Sequence, residues 1–193
     1  MKIGLYFGTF NPIHVGHLII ANHLAENSDL DQIWMVVTPH NPHKQKNTLL
    51  NDYQRLEMVQ LATEDYTKIK ASDIEFTLPQ PNYTVNTLAH LQDKYPKHEF
   101  CLIMGEDNLK SLHKWKNYET ILNHYAIYVY PRIVNGGETA VYETHKNITK
   151  IDAPIVELSA TFIRESIKNK KNIAPMLPQK VWQYIDHNLF YTK

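Results

Sequence analysis

The segment GTFNPIHVGH, residues 8–17, concentrates residue types that bind anions and stabilise charge that develops during a reaction. It follows a strand-like apolar run and precedes a helix-like one. Gly8 permits a tight turn and lets a ligand approach the main chain closely. A helix that begins near Gly16 presents free N–H groups and a positive dipole end to an anion. His14 and His17 fall on one side of that helical start, where they can donate hydrogen bonds to phosphate oxygens. The segment therefore predicts a polyphosphate site rather than two capping or surface histidines.

A second junction of this kind is LSATFIR, residues 158–164. Ser159 and Thr161 place hydroxyls at the start of a predicted helix, and Arg164 follows within one turn. Hydroxyls, free main-chain N–H groups and a guanidinium all bind phosphate. Alone, the pattern is equally typical of a capped helix with an exposed arginine. Together with residues 8–17, it predicts a two-ended clamp around a triphosphate.

The elements that must position these junctions alternate between strands and helices. Strand-like runs are KIGLYF, QIWMVVT, TKIKASDIEF, EFCLIMG, AIYVYP and APIVELS. Residues 132–152 contain NGG and favour a turn or hairpin, and Asp52 is the predicted N-cap of the helix YQRLEMVQLATE. The alternation predicts an α/β fold, a Rossmann-like, doubly wound, mainly parallel sheet with helices on both faces. We expect a single domain over residues 1–193, with a C-terminal helical part at about 159–193 packed on it. Ligands of such sheets bind beyond the carboxyl ends of the strands.

The composition narrows the classes of partner and compartment. The chain has 193 residues, of which 43% are hydrophobic and 21% charged, values typical of a globular domain. Twenty basic and twenty acidic residues cancel, so no overall field favours nucleic acid or a membrane surface. Cys101 is the only cysteine and lies in an apolar run, which predicts a buried residue in a reducing compartment, the cytoplasm. No run approaches the length of a membrane-spanning helix or a signal peptide.

Several motifs resemble a known family. GTFNPIHVGH resembles the (H/T)xGH signature of the nucleotidyltransferase superfamily, and LSATFIR resembles its later ISSTxIR signature. More closely, the chain is similar to the bacterial nicotinate-nucleotide adenylyltransferases from Lys2 to about Tyr191. Further segments that carry this resemblance are PHNPHK, RLEMVQLA, NYTVNTL, MGEDNLKSLHKW, YPR and LPQKVWQYIDHNLFY.

The resemblance implies roles for individual residues on the ATP side. His14 and His17 would contact the ATP phosphates and stabilise the transition state, while Lys44 and Arg164 supply positive charge. Asp107 would bind the ribose hydroxyls. The other residues implied in ATP binding are Gly8, Thr9, Phe10, Gly16, Gly105, Ser159 and Thr161.

On the acceptor side, the resemblance implies a mononucleotide pocket made by Tyr83, Thr84 and Trp115. Trp115 would stack on the pyridine ring, and Thr84 would lie near the nicotinate carboxylate. Without the resemblance, Trp115 and Tyr83 are read as packing residues and Lys44 as part of a solvated loop. Arg55 is predicted to be a structural ion-pair partner. Arg132 is undecided between the edge of the site and the surface.

Five positions depart from the family pattern. Phe7 replaces a glycine that is usual in the family, and Asn11 and Asn86 each replace an aspartate. Asn82 and Ala160 each replace a serine. Asn82 and Asn86 border the implied acceptor pocket, so they bear on the choice between nicotinate and nicotinamide.

The resulting hypothesis is adenylyl transfer from ATP to nicotinate mononucleotide, with Mg²⁺ bound to the ATP phosphates and no separate protein metal site. Other acceptors, nicotinamide mononucleotide or phosphopantetheine, remain open, as does a non-catalytic ATP-binding sensor. A metal-dependent hydrolase is disfavoured because the eleven histidines mostly lack ligand spacing. A dehydrogenase is disfavoured because GxGxxG is absent. The sequence leaves open whether the chain forms a homo-oligomer.

Overall fold

A computed structural model describes residues 1–39, 49–133 and 144–192 of the protein. In these ranges the strands are β1 (Lys2–Gly8), β2 (Gln32–Val37), β3 (Ile69–Ser72), β4 (Glu99–Gly105), β5 (Ile127–Tyr130) and β6 (Ile148–Lys150). The α-helices are α1 (Val15–Asn27), α2 (Asp52–Thr63), α3 (Thr84–Lys94), α4 (Glu106–Lys110), α5 (Tyr118–His124), α6 (Ala160–Lys168) and α7 (Gln179–His187). Short 3₁₀ helices occupy Ile74–Thr77, Leu112–Lys114 and Ala174–Met176.

The six strands form one parallel sheet in the order β3-β2-β1-β4-β5-β6. The predicted doubly wound parallel α/β fold is therefore confirmed. The chain proceeds from β1 toward one edge of the sheet and from β4 toward the other. The carboxyl ends of β1 and β4 consequently flank the crevice in which such folds bind ligands.

Both faces of the sheet are buried, which explains the nearly continuous apolar runs of its strands. One core cluster includes Met35 of β2 and Leu24 of α1, and also Ile163 and Val181 of α6 and α7. The cluster on the other face includes Leu102 of β4. The two C-terminal helices thus pack on the sheet, although the division into domains stays a prediction. No described helix is both long and apolar enough to cross a membrane.

Three local predictions are wrong. The last strand is β6, within residues 132–152, whereas APIVELS forms no strand. Pro154 has no N–H to donate to a neighbouring strand, which removes one ladder hydrogen bond from this run. The run IEF forms a 3₁₀ helix instead of extending β3. The N-cap of α2 is Asn51, whose side chain accepts a hydrogen bond from the Tyr53 N–H. Asp52 is the first residue of that helix.

Candidate active site

A cavity of about 550 Å³ opens at the carboxyl edge of the sheet, between the ends of β1 and β4. Its wall includes the segment after β1, the start of α1, the segment before α3, the end of β5 and the start of α6. This volume lies in the range usual for small-molecule sites. The predicted clamp and the implied acceptor residues therefore meet in one space.

The two histidines lie at the first turn of α1 and stack on each other. His14 is the N-cap residue, with φ −143° and ψ 170°, and α1 begins at Val15. The His14 main-chain N–H donates to His17 Nδ1 at 3.2 Å, and the ring centroids are 3.7 Å apart. Because Nδ1 of His17 accepts this bond, the hydrogen of the neutral His17 ring is on Nε2. Both rings line the cavity.

His14 is neutral at physiological pH. Its side chain is 3% exposed, and burial beside the Arg132 guanidinium lowers its pKa to about 4. Its ring faces the first turn of the helix, yet Nδ1 has no hydrogen-bond partner among the described residues. A neutral imidazole here can donate one hydrogen bond to a phosphate oxygen without adding charge.

Phe10 packs within residues 8–17, the segment that carries the two histidines and is called the histidine segment below. It adopts a left-handed backbone conformation with φ 44°, which is uncommon for a residue with a side chain. Its ring packs edge-on against His17 at 5.1 Å between centroids. A Cβ added to Gly8 would lie 2.7 Å from the Phe10 ring, so the close approach requires glycine. The predicted residues Gly8 and Phe10, with buried Thr9, lie on the cavity wall.

The start of α6 faces this segment across the cavity. Ser159 is the N-cap of α6, and its hydroxyl accepts a hydrogen bond from the Phe162 N–H at 3.2 Å. Arg164 donates to the Asn11 carbonyl at 2.8 Å and to the Thr161 hydroxyl at 3.2 Å. The structure therefore brings the three predicted α6 residues onto the same cavity, and Arg164 also ties α6 to the first segment.

Arg55 is buried behind the first segment as a structural residue. It is fully buried, donates to the carbonyls of Thr9 and Thr38, and pairs with Asp52 at 2.6 Å. It thereby joins α2 to the ends of β1 and β2. The interpretation of Arg55 as an ion-pair partner is confirmed.

Gly105 and Asp107, the residues implied on the adenosine side, lie at the end of β4 and the start of α4. Gly105 is the N-cap of α4, and a Cβ added to it would lie 2.4 Å from Asp107 Oδ1. Glycine at this position therefore lets the Asp107 carboxylate fold over the strand end, where it lines the cavity. Gly16 lies behind His14, on a smaller cavity of about 10 Å³, which has room for about one water molecule.

The implied acceptor residues form the opposite wall. Tyr83, Thr84 and Trp115 all line the cavity, and Thr84 is the first residue of α3. The Lys116 ammonium lies 4.5 Å from the centroid of the Tyr83 ring. Buried Asn82 lines the same wall. Of the two asparagines expected to border the acceptor pocket, Asn82 lines the cavity and Asn86 is exposed.

Two further cavity residues were missed or left undecided by the sequence. The Arg132 guanidinium lies 5.6 Å from the Tyr130 ring centroid, and its Nε has no partner in the described structure. Its position after β5, at the carboxyl edge, was the available signal. Glu75 is 1% exposed and lines the cavity together with Asn82 and Tyr83. Nothing in the run IEF distinguished Glu75 from an ordinary strand residue.

Lys44 lies outside the described residues, so its predicted role stays a prediction. Within residues 1–39, 49–133 and 144–192, no cluster of three or more His, Cys, Asp or Glu side chains is arranged to hold a metal ion. Asp107 and Glu75 are the carboxylates on the described cavity wall. This donor set fits a cation held mainly by phosphate oxygens and water.

Comparison with known proteins agrees with this geometry. The cytidylyltransferase-like family model matches residues 5–166. The chain is 74% identical, over 100% of both chains, to a protein of Flavobacterium psychrophilum named probable nicotinate-nucleotide adenylyltransferase. It is 36% identical to a protein of the same name from Bacillus licheniformis, over 98% of both chains.

A solved structure matches the fold. A Plasmodium falciparum nicotinic acid mononucleotide adenylyltransferase complexed with NaAD superposes with a TM-score of 0.83 at 18% identity, covering 99% of this chain and 97% of that one. At this identity the likeness concerns the fold alone. On the full-length sequence matches, the chain belongs to the nicotinate-nucleotide adenylyltransferases of the cytidylyltransferase-like family.

Proposed function

We propose that this chain transfers the adenylyl group of ATP to nicotinate mononucleotide, giving nicotinate adenine dinucleotide and pyrophosphate in NAD biosynthesis. An oxygen of the mononucleotide 5′-phosphate attacks the α-phosphorus of ATP in line. The bond from that phosphorus to the oxygen bridging to the β-phosphorus breaks, and its electron pair leaves with pyrophosphate. The observation that best supports this proposal is a single cavity. It is lined by the N-terminal ends of α1 and α6, which suit phosphate, and by a wall that contains Tyr83 and Trp115.

The histidines suit the charge that develops in this step. His17 can donate from Nε2, and neutral His14 from one ring nitrogen, to oxygens around the α-phosphorus. Arg164 and Arg132 carry positive charge on the same cavity. Because positioning and charge stabilisation account for such catalysis, no protein nucleophile is required.

ATP and the mononucleotide would bind on different sides of the cavity. ATP fits the first segment, α6 and Asp107, with its phosphates at the helix N-termini. The mononucleotide fits the wall of Tyr83, Thr84 and Trp115, where an aromatic ring can stack on a pyridine. Mg²⁺ would enter with ATP and neutralise charge on its phosphates. The inferred cytoplasmic location stays a prediction.

The test is pyrophosphate release from ATP and Mg²⁺ with nicotinate mononucleotide, nicotinamide mononucleotide or phosphopantetheine as the acceptor. We expect release with nicotinate mononucleotide to exceed release with the other two. Comparable rates with both pyridine mononucleotides would keep the chemistry and identify Asn82 as the first position to exchange for Ser. Binding of ATP without release for any acceptor would contradict the proposal and favour a sensor.

A further inference from the structure

Glu75 is a buried carboxyl group on the acceptor wall that the mechanism above does not use. It lies in the 3₁₀ helix after β3, and its Oε2 has no hydrogen-bond partner in the described part of the chain. An ionised carboxylate that is buried with an unpartnered oxygen is costly, so such a group needs either a proton or a cation. No ion pair to Glu75 forms within residues 1–39, 49–133 and 144–192.

The contacts of Glu75 lead to the residues that would hold the acceptor. Its Oε1 lies 2.6 Å from the Thr87 hydroxyl oxygen, which lies 3.4 Å from the Tyr83 carbonyl oxygen. Its own main-chain carbonyl accepts a hydrogen bond from the Asn82 side chain at 3.1 Å. Glu75 is therefore connected from two sides to the Asn82–Thr84 stretch.

The Thr87 hydroxyl has one hydrogen and two neighbouring acceptors. If Glu75 is ionised, that hydrogen goes to Oε1 and none is left for the Tyr83 carbonyl. If Glu75 carries a proton on Oε1, Glu75 donates to Thr87 and Thr87 donates to Tyr83. Only the neutral acid completes a chain of hydrogen bonds from Glu75 to the N-cap residue of α3.

We propose that Glu75 is a positioning residue for the acceptor. In this proposal the carboxyl group of Glu75 is neutral and protonated, and in that form it holds the Tyr83–Thr84 wall in place. The inference rests on the proposed function, because it assumes that the acceptor mononucleotide occupies this wall. Loss of the Glu75 proton breaks the chain to Tyr83 and places a negative charge beside a substrate that is itself anionic. Acceptor binding then weakens while ATP binding does not.

The surroundings of Glu75 agree with a neutral acid. Burial away from water raises the pKa of the Glu75 carboxyl, against the opposing hydrogen bonds from Thr87 and Thr38. Besides the tyrosines Tyr6, Tyr83 and Tyr130, the charged or titratable side chains on the same cavity are His14, His17, Asp107, Lys116, Arg132 and Arg164. None of these six hydrogen-bonds to Glu75 in the structure as described.

The experiment measures kcat and the two KM values between pH 5.5 and 9 for the wild type, E75Q, E75A and T87V, with nicotinate mononucleotide as the acceptor. Glutamine keeps the shape of the neutral acid, so E75Q should match the wild type within about twofold at pH 5.5. As pH rises, the wild-type KM for the acceptor should increase about five- to tenfold more than that of E75Q, the effect of one lost hydrogen bond. E75A and T87V should raise the acceptor KM at every pH and leave the ATP KM within about twofold.

Each contrary result overturns a stated part of the inference. If the acceptor KM had the same pH dependence in E75Q and the wild type, the proton on Glu75 would have no role in acceptor binding. Equal rises in both KM values for E75A, or a rise in neither, would exclude positioning of the acceptor. The phosphate of the mononucleotide also titrates in this range, but it does so identically for E75Q and the wild type. If the wild type itself releases no pyrophosphate with this acceptor, the proposed function fails, and calorimetric binding of nicotinate mononucleotide to the wild type and E75Q then decides the role of Glu75 in the same way.

Discussion

The carboxyl edge and the amino edge of the sheet differ in whether their polar side chains have hydrogen-bond or ion-pair partners. At the carboxyl edge, His14 Nδ1, Arg132 Nε and Glu75 Oε2 are buried without hydrogen-bond partners in the described structure. All three residues line the large cavity. Buried polar atoms are normally satisfied, so their grouping at one edge marks the place where a ligand would complete the contacts.

At the amino edge, charged groups are paired. The Lys2 ammonium lies 2.7 Å from an Asp29 carboxylate oxygen and 5.5 Å from the centroid of the Tyr128 ring. The Tyr128 hydroxyl donates to the other Asp29 oxygen, and the Lys2 main-chain N–H donates to Asp31 at 2.7 Å. The exception at this edge is His98, whose Nδ1 has no partner among the described residues.

The comparison separates stabilising residues from residues kept for a substrate. Paired groups lower the free energy of the folded state, whereas unpaired ones at a cavity raise it and are tolerated where binding or catalysis needs them. The difference can be tested by removing groups from each edge in turn.

The largest effect is expected for H17A. Removing one preorganised donor to a developing oxyanion typically lowers kcat by about 100- to 1000-fold. Because the contact strengthens in the transition state, the KM for ATP should change far less than kcat. Steady-state kinetics measure both values, and equal losses in binding and turnover would contradict the role given to His17.

The matched control is H98A, which removes an unpartnered imidazole from the amino edge. It should leave kcat within about twofold of the wild type. A loss comparable to that of H17A would show that the kinetic effect of removing an imidazole does not depend on the edge at which it lies.

A smaller effect on the reaction is expected for R132A. We expect kcat/KM for ATP to fall by about tenfold or more, since hydrogen bonds from a charged group to phosphate are among the strong ones. R132K should recover part of the loss, because it restores charge without the planar fork. If both variants behave like the wild type, Arg132 belongs to the surface and not to the site.

At the amino edge, D29N should change stability and not turnover. The Lys2 ammonium, with the Tyr128 hydroxyl, holds the pKa of Asp29 below its usual value. The ionised carboxylate therefore stabilises the fold above about pH 4, and this contribution is lost as pH falls through the lowered pKa. Because Asp29 is largely exposed, the loss should be about 1 kcal/mol or less, or a few degrees in Tm.

The measurement for D29N is thermal unfolding at neutral pH and at about pH 3. The difference in Tm from the wild type should narrow at the lower pH, because the contribution of the ionised Asp29 is lost as pH falls toward and through its lowered pKa. A constant difference across this range would show that the charge of Asp29 does not matter. A fall in kcat would remove the functional distinction between the edges.

The smallest effect is expected at Cys101. Burial raises the pKa of its thiol to about 12, so the reactive thiolate is scarce. Iodoacetamide at pH 8 should leave native activity unchanged and should modify the thiol only after unfolding in urea. Rapid labelling of the native protein, followed by mass spectrometry, would contradict this expectation.

The phosphate side was predictable because its signals are local. The end of a strand, a glycine turn and the start of a helix occupy neighbouring residues in GTFNPIHVGH, and LSATFIR carries the N-cap serine and the first residues of α6. The site roles of Tyr83, Thr84 and Trp115 came only from resemblance to a family. Their meeting in one cavity depends on two helices far apart in the sequence, so periodicity alone could not give it.

The missed features are decided by tertiary contacts. Ile148–Lys150 is a short and mostly polar segment, yet it pairs with β5, whereas the more apolar APIVELS, which contains Pro154, pairs with no strand. Glu75 faces the cavity because the chain turns into a 3₁₀ helix after β3, and Asn82 closes back on it from seven residues away. Neither outcome is visible in a hydrophobic pattern.

The hydrogen bonds of Asn11 have a consequence for how the protein is made. Asn11 follows directly on the first strand, yet its side chain accepts hydrogen bonds from the Leu50 N–H and the Tyr191 hydroxyl, and its carbonyl accepts from Arg164. The ribosome therefore produces the histidine segment early and the residues that fasten it last. A growing chain can assemble the sheet from the N-terminus onward, but Asn11 has all three of these contacts only after residue 191 has been added. Premature termination upstream of Arg164 should then yield chains that keep the Leu50 contact to Asn11 but lack those from Arg164 and Tyr191, however well their strands pair.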